Sequence, residues 1–366
     1  MPFLEKSSAR RRRRRVGDLL AVLLLVAVMG GMFWLWWHEA NIKKHKQRRE
    51  ITATPATVIA PAAPVARPKP PIVVRQSPAD FPRPARDGFE GQVALARRAI
   101  SPGSLDAAIG SQTRAAIAAF QRSQNIFETA ALDTNTRPWL TLDTPLLTTY
   151  TVTTNDLARL QPLGKTWLAK SEQSALDYET ILELVAETAH AHPLLIRKLN
   201  PAVNWTNVPA GTVLNIPDVH YPEPAEKAAQ VVIHLSDKYL EAFGAGTNLL
   251  LHCPCSIAAR VEKRPVGELH VIVVAPHPNY TVNPELFPES EELQAIGHKL
   301  ILPPGPNNPV GVAWIGLDRP GYGIHGTPNP EQVGRTESHG CFRLANWDAE
   351  YLLKLVWIGM PVEVVP

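Results

Sequence analysis

The chain has 366 residues, 35 of them proline, is 45% hydrophobic and carries a net charge of +3. That length accommodates two or three domains, and so much proline argues for extended linkers between them. Three cysteines cannot all pair, which excludes a fully disulfide-stapled framework; the charge does not speak for nucleic-acid binding either, because residues 1–50 carry +8 and leave −5 for the rest.

Residues 1–18 form a basic tail that includes Arg10 to Arg15, and Leu19 to Trp37 is a run without a charged residue. Nineteen such residues are about enough to cross a hydrocarbon core of roughly 30 Å. Trp34, Trp36 and Trp37 crowd its outer end, where indole rings favour the headgroup region. A cleaved signal peptide has a shorter apolar stretch that ends in small residues, so residues 19–38 are expected to be an uncleaved anchor with the tail in the cytoplasm. Lys43, Lys44, Lys46, Arg48 and Arg49 follow the span and weaken the charge bias that orients it. Residues 39–87, rich in proline and alanine, read as a semi-extended linker.

Between 88 and 145, Ile109, Thr113, Ala116, Ile117 and Phe120 recur at helical spacing, with Ser111 as the expected N-cap. Val93, Leu95, Ala96 and Ile100 predict a helix before it, and together these make a small α-helical bundle. In the module from 146 to 222, Tyr150-Thr151-Val152 reads as a strand and Tyr178 to His192 as a helix. Leu194 to Leu199 reads as a second helix, and Pro209 to Pro217 as a turn and strand. From 228 to 366 the texture changes to short apolar runs, rich as a set in β-branched residues: Val231-Val232-Ile233, Leu249-Leu250-Leu251 and Val271 to Val274. This predicts a mostly-β domain, with one helix opening at Asn346, stopped by Gly359 and followed by a last strand from Pro361 to Val364.

The densest chemistry lies in Ile324-His325-Gly326-Thr327 and Glu337-Ser338-His339-Gly340-Cys341-Phe342-Arg343. Cys341 suits a nucleophile and either His325 or His339 a base, which would favour the thiolate. Gly326 and Gly340 would let backbone amides approach a developing oxyanion, and Arg343 could grip a carboxylate with two hydrogen bonds. The same His and Cys types could serve zinc, although no fourth ligand is evident nearby. Cys253 and Cys255, one proline apart, read as small buried hydrophobes more readily than as a redox or metal pair.

Gly323-Ile324-His325-Gly326-Thr327-Pro328 followed by Ser338-His339-Gly340-Cys341-Phe342-Arg343-Leu344 resembles the signature of the YkuD-type L,D-transpeptidases, which remodel bacterial peptidoglycan. The resemblance extends upstream to Leu302-Pro303-Pro304-Gly305-Pro306-Asn307-Asn308 and downstream to Asn346-Trp347-Asp348. It departs at Arg264, where the family has a threonine before Pro265 and Gly267. Leu105-Asp106, Ile109 to Thr113, Ala119-Phe120-Gln121 and Leu132 to Thr136 are similar to a three-helix peptidoglycan-binding domain. The module from 146 to 222 resembles a LysM glycan-binding unit, except for a long insertion between Val152 and Tyr178. That insertion leaves a structural brace as the equal alternative.

The resemblance implies a β-rich catalytic domain in which Cys341 attacks the bond between diaminopimelate and the terminal D-Ala of a tetrapeptide stem. His325 would be the base, oriented by the Gly326 carbonyl. His339, Gly340 and the Cys341 amide would shape the oxyanion pocket, Arg343 would contact the stem peptide and Ser338 would hold the loop. The thioester would pass to a stem amine or a lipoprotein lysine. Water as acceptor would make the chain a hydrolytic carboxypeptidase or amidase, and a non-catalytic wall anchor is the reading from a different class. Carbapenems would inhibit it, no cofactor or metal is implied, and the catalytic part would work in the periplasm from the inner membrane.

Overall fold

The computed structural model describes residues 80–335 and 340–366. The expected tail, the anchor at 19–38 and most of the expected linker lie outside the described residues, as do Ser338 and His339. Among the described residues, no helix is long and apolar enough to cross a membrane.

The described chain opens with β1 (Arg83–Pro84), α1 (Gly88–Ala96), α2 (Ser111–Ser123) and β2 (Thr141–Leu142). β1 pairs antiparallel with β2, so residues 83–84, read from sequence as the end of the linker, belong to the fold. Arg83 holds them there by donating to both carboxylate oxygens of Glu90 at 2.6 Å. α1 is capped by the Asp87 side chain, which accepts from the Glu90 amide. The α2 cap is Gly110 with no side-chain bond, and Ser111, expected as the cap, is already helical. Thr113, Ala116, Ile117 and Phe120 form its buried face. In place of a third helix, residues 134–139 form turns. The Asp133 carboxylate gathers the Thr129 hydroxyl and the Asn135 and Thr136 amides, an arrangement that competes with regular helix.

Next come β3 (Leu147–Thr151), α3 (Thr154–Arg159), α4 (Trp167–Ser171), α5 (Ile181–Thr188), α6 (Pro193–Leu199) and β4 (Val213–Pro217). β3 and β4 pair antiparallel, Leu147 opposite Pro217 through Thr151 opposite Val213. α5 is shorter than the periodicity predicts. Thr180 caps it by accepting from the Glu183 amide, and His190, at φ +50, takes the chain out of helical geometry. The apolar residues of these elements join those of α1 and α2 in a single core that includes Leu95, Phe120, Leu184 and Leu214.

The C-terminal part contains β5 (Gln230–His234), β6 (Tyr239–Phe243), β7 (Leu249–Pro254), β8 (Gly267–Pro276), β9 (Tyr280–Val282) and α7 (Glu291–Ile296). It continues through β10 (Leu300–Leu302), β11 (Ala313–Leu317), β12 (Gly323–His325), β13 (Phe342–Arg343), α8 (Asn346–Leu355) and β14 (Pro361–Val365). Eight strands make one curled sheet in the order β13-β12-β11-β8-β14-β5-β6-β7. It is mixed: β12 pairs in parallel with β13 and β14 with β5, and the other pairs are antiparallel. Val231, Ile233, Leu251, Ile315, Ile324 and Phe342 pack with Leu352 and Leu355 of α8 as its core. The helix ends at Leu355, and Gly359, expected to stop it, instead takes φ +96 in the turn before β14.

The insertion between Val152 and Tyr178 packs on the C-terminal part. Leu176 joins Val282, Leu293, Leu300 and Leu302 in a separate small core, and the Trp167 ring lies 5.9 Å from that of Phe287.

Candidate active site

Two short strands bring the sequence motif together. β12 carries His325, and the parallel pairing sets Ile324 level with Phe342 and His325 level with Arg343. Cys341 is the residue before β13. That strand is fixed on both sides: Arg343 and Ser256 exchange backbone hydrogen bonds at 3.0 and 2.9 Å, and the Leu344 amide donates to the His325 carbonyl at 2.8 Å. Phe342, fully buried, pins it to the core between them. Parallel pairing of 323–325 with 342–343 thus spans the 16 residues that separate His325 from Cys341 in the sequence.

His325 is buried, and its Nδ1 lies 2.6 Å from the Gly326 carbonyl oxygen. A carbonyl only accepts, so Nδ1 carries the proton and Nε2 keeps the basic lone pair. Burial drives the imidazole pKa down to about 4, against a smaller upward pull from the Gly326 carbonyl. Trp314, directly opposite on β11, stacks on the ring with centroids 5.7 Å apart and planes 25° apart.

Cys341 is half-buried, with its Sγ 3.4 Å from the Gly321 carbonyl. Burial pushes its thiol above the usual range, opposed by a hydrogen bond from the Gly323 backbone and by the Arg343 charge. The two shifts run in opposite directions and both favour the neutral form, because at each group desolvation is the largest effect.

The two glycines have different surroundings. The Gly326 amide donates to the Ala313 carbonyl at 3.2 Å, so it is engaged in the strand ladder instead of facing an oxyanion. Gly326 is required for another reason: a Cβ there would collide with Asn346 Oδ1. Among the described residues, a Cβ on Gly340 would meet nothing within 4 Å. Arg343 is partly buried and acts electrostatically on both Cys341 and Tyr280. Ser338 and His339 lie outside the described residues.

Tyr280 and Trp314 line a groove of about 420 Å³ with Asn279, Thr281 and Val310. The cue for Trp314 was register: it faces His325 across the turn at residues 318–322. Arg264, the departure from the family pattern, folds back to donate to the Ala258 and Ala259 carbonyls at 2.7 and 3.2 Å. Cys253 and Cys255 are fully buried free thiols in the sheet core, both pushed up by burial.

The C-terminal domain is thus mostly β, with Cys341 just before the strand that pairs with the one carrying the carbonyl-bound His325. Residues 228–364 match the L,D-transpeptidase catalytic domain of the YkuD family. Residues 89–140 match the family described as "Putative peptidoglycan binding domain". Among curated relatives, "Probable L,D-transpeptidase YbiS" of Escherichia coli (strain K12) is 29% identical over 178 residues, covering 45% of this chain and 54% of that protein. "Putative L,D-transpeptidase YkuD" of Bacillus licheniformis is 26% identical over 188 residues, covering 51% of this chain and 94% of that one. The chain thus spans about half the length of its E. coli relative. The solved L,D-transpeptidase from Mycobacterium smegmatis shares 16% identity over 44% of this chain and 76% of its own, with a TM-score of 0.30.

Proposed function

We propose that the chain is a peptidoglycan L,D-transpeptidase whose nucleophile is Cys341 and whose base is His325. The observation that carries this reading is the His325 Nδ1–Gly326 carbonyl bond at 2.6 Å, which leaves Nε2 basic on the strand next to the cysteine. The thiol attacks the carbonyl between the diaminopimelate L-centre and D-Ala. An S–C bond forms and the C–N bond breaks, and the thiol proton passes through His325 to the departing D-Ala amine. The developing oxyanion is received by the Cys341 amide with Gly340 and His339, and Arg343 holds a stem carboxylate. An amine from a second stem or a lipoprotein lysine then takes the acyl group and restores the thiol; water in its place gives hydrolysis.

The remaining parts fit a wall-directed enzyme. Residues 89–140 would hold glycan, in keeping with the domain family they match. The pair β3 and β4 with α5 and α6 between them is compatible with a LysM-like unit. Its insertion braces the catalytic part, which supports a structural share in its role. The apolar run at 19–38 would tether the chain to the inner membrane and leave the catalytic domain in the periplasm.

The test is carbapenem acylation of the full chain, read by intact-mass spectrometry. One adduct on Cys341 is expected, none in Cys341→Ala, none in His325→Ala and a slower one in His339→Ala. Rapid adduct formation without His325 and none without His339 would exchange the roles of the two histidines.

A further inference from the structure

The orientation of His325 depends on Gly326, and Gly326 rests on a side chain anchored from outside the catalytic domain. Asn346, the first residue of α8, is buried and does not cap its own helix. Its Oδ1 packs against Gly326 and Gly311 and accepts from the Val312 amide at 3.3 Å. Its Nδ2 donates to Pro306 O at 3.1 Å and to the two carboxylate oxygens of Glu187 at 3.1 and 3.2 Å. Three acceptors on one side and an N–H on the other fix which way the amide points. Glu187 lies on α5, some 40 residues before the matched catalytic segment begins at 228. It is itself held by the Tyr178 hydroxyl, which donates to Oε1 at 3.1 Å.

We propose that Glu187 is a positioning residue for His325, acting through Asn346 and Gly326. The inference rests on His325 being the base. Without the carboxylate, one buried Asn346 N–H loses its acceptor, and the amide is free to turn toward another. The Gly326 peptide then loses the Oδ1 against which it packs, and its carbonyl no longer holds Nδ1 in one place. The module before the catalytic domain would in this way set the reactivity of a site it does not line.

The test uses the full chain labelled with ¹⁵N-histidine, the His325 signals being assigned by comparison with His325→Gln. Glu187→Met fills the same space but accepts no hydrogen bond. It is expected to lower the maximal rate of carbapenem acylation about 10-fold with little change in the concentration for half-maximal rate. It should also shift the His325 Nδ1–H resonance away from its hydrogen-bonded position. Glu187→Gln keeps an acceptor and should restore both. If the Met variant does not fold, Glu187→Asp decides the question, because it keeps the charge but withdraws the acceptor by one methylene; it too should be slow. A folded Met or Asp variant with the wild-type rate and an unmoved His325 resonance overturns the proposal, as does a Gln variant as slow as Met. A wild type that carbapenem does not acylate refutes the proposed function instead, and the His325 resonance then still decides the positioning claim.

Discussion

Burial acts on Cys341 and His325 in opposite senses, raising the thiol and lowering the imidazole to about 4. As the proposed base, His325 acts only while neutral, so its protonation would set the acid limit of the reaction. With the folded pKa below the ordinary histidine value, that limit moves down: acylation should hold as pH falls from 7 to about 5 and fail near 4. A pH profile of carbapenem acylation checks this, and a half-maximal rate near 6.5 would show an imidazole open to water. Cys253 and Cys255 touch none of this chemistry. Replacing both with valine should cost no more than about 1–3 kcal/mol by urea unfolding and leave acylation at the wild-type rate. At this scale the sequence was most readable, because Cys341, His325 and Arg343 lie within two short motifs. Asn346 and Glu187 were not legible as a pair, since 159 residues separate them and neither type carries a signal of its own.

Strand pairing and two glycines decide how the motif is presented. Gly311 sits at φ +61, where a Cβ would meet Asn346 Oδ1 and the Gly326 backbone. Gly311→Ala should therefore destabilise the domain by about 1–3 kcal/mol and slow acylation by displacing Gly326. Gly340→Ala meets open space among the described residues and should change stability by less than about 0.5 kcal/mol. Urea unfolding of the two variants separates the effects, and equal losses would contradict the packing argument. The elements themselves were largely legible, with strands at 230–234, 249–254 and 267–276 where short apolar runs occur. Helix ends were not. His190 at positive φ cut short the helix that periodicity predicted to His192, and Gly110 instead of Ser111 is the cap of the helix at 111–123.

At the scale of the whole molecule, the elements before residue 222 and the C-terminal sheet domain meet through polar groups. The Ser101 hydroxyl donates to Asp348 at 3.1 Å and the Tyr221 hydroxyl donates to it at 2.7 Å. Arg122 reaches Glu241 at 2.7 Å. No local pattern announces such contacts, which is why the sequence showed modules but not their junctions. Burial raises the Asp348 pKa from 3.8 to about 7, against the lowering effect of the Tyr221 and Ser101 hydrogen bonds. Between those values the folded state keeps a proton that the unfolded chain has lost, so this group's contribution to stability falls as pH rises through that window. Asp348→Asn should remove that slope and gain on the wild type between pH 5 and pH 8 in urea unfolding. Identical pH dependence in the two proteins would place Asp348 in contact with water.

The central claim, transfer of a stem acyl group through Cys341, is tested most directly by incubating the purified full chain with disaccharide-tetrapeptide and following products by mass spectrometry. The account predicts loss of D-Ala, a thioester on Cys341, and 3→3 cross-linked dimers or tripeptide, all absent from Cys341→Ala. Undiminished turnover by the folded Cys341→Ala protein would contradict it.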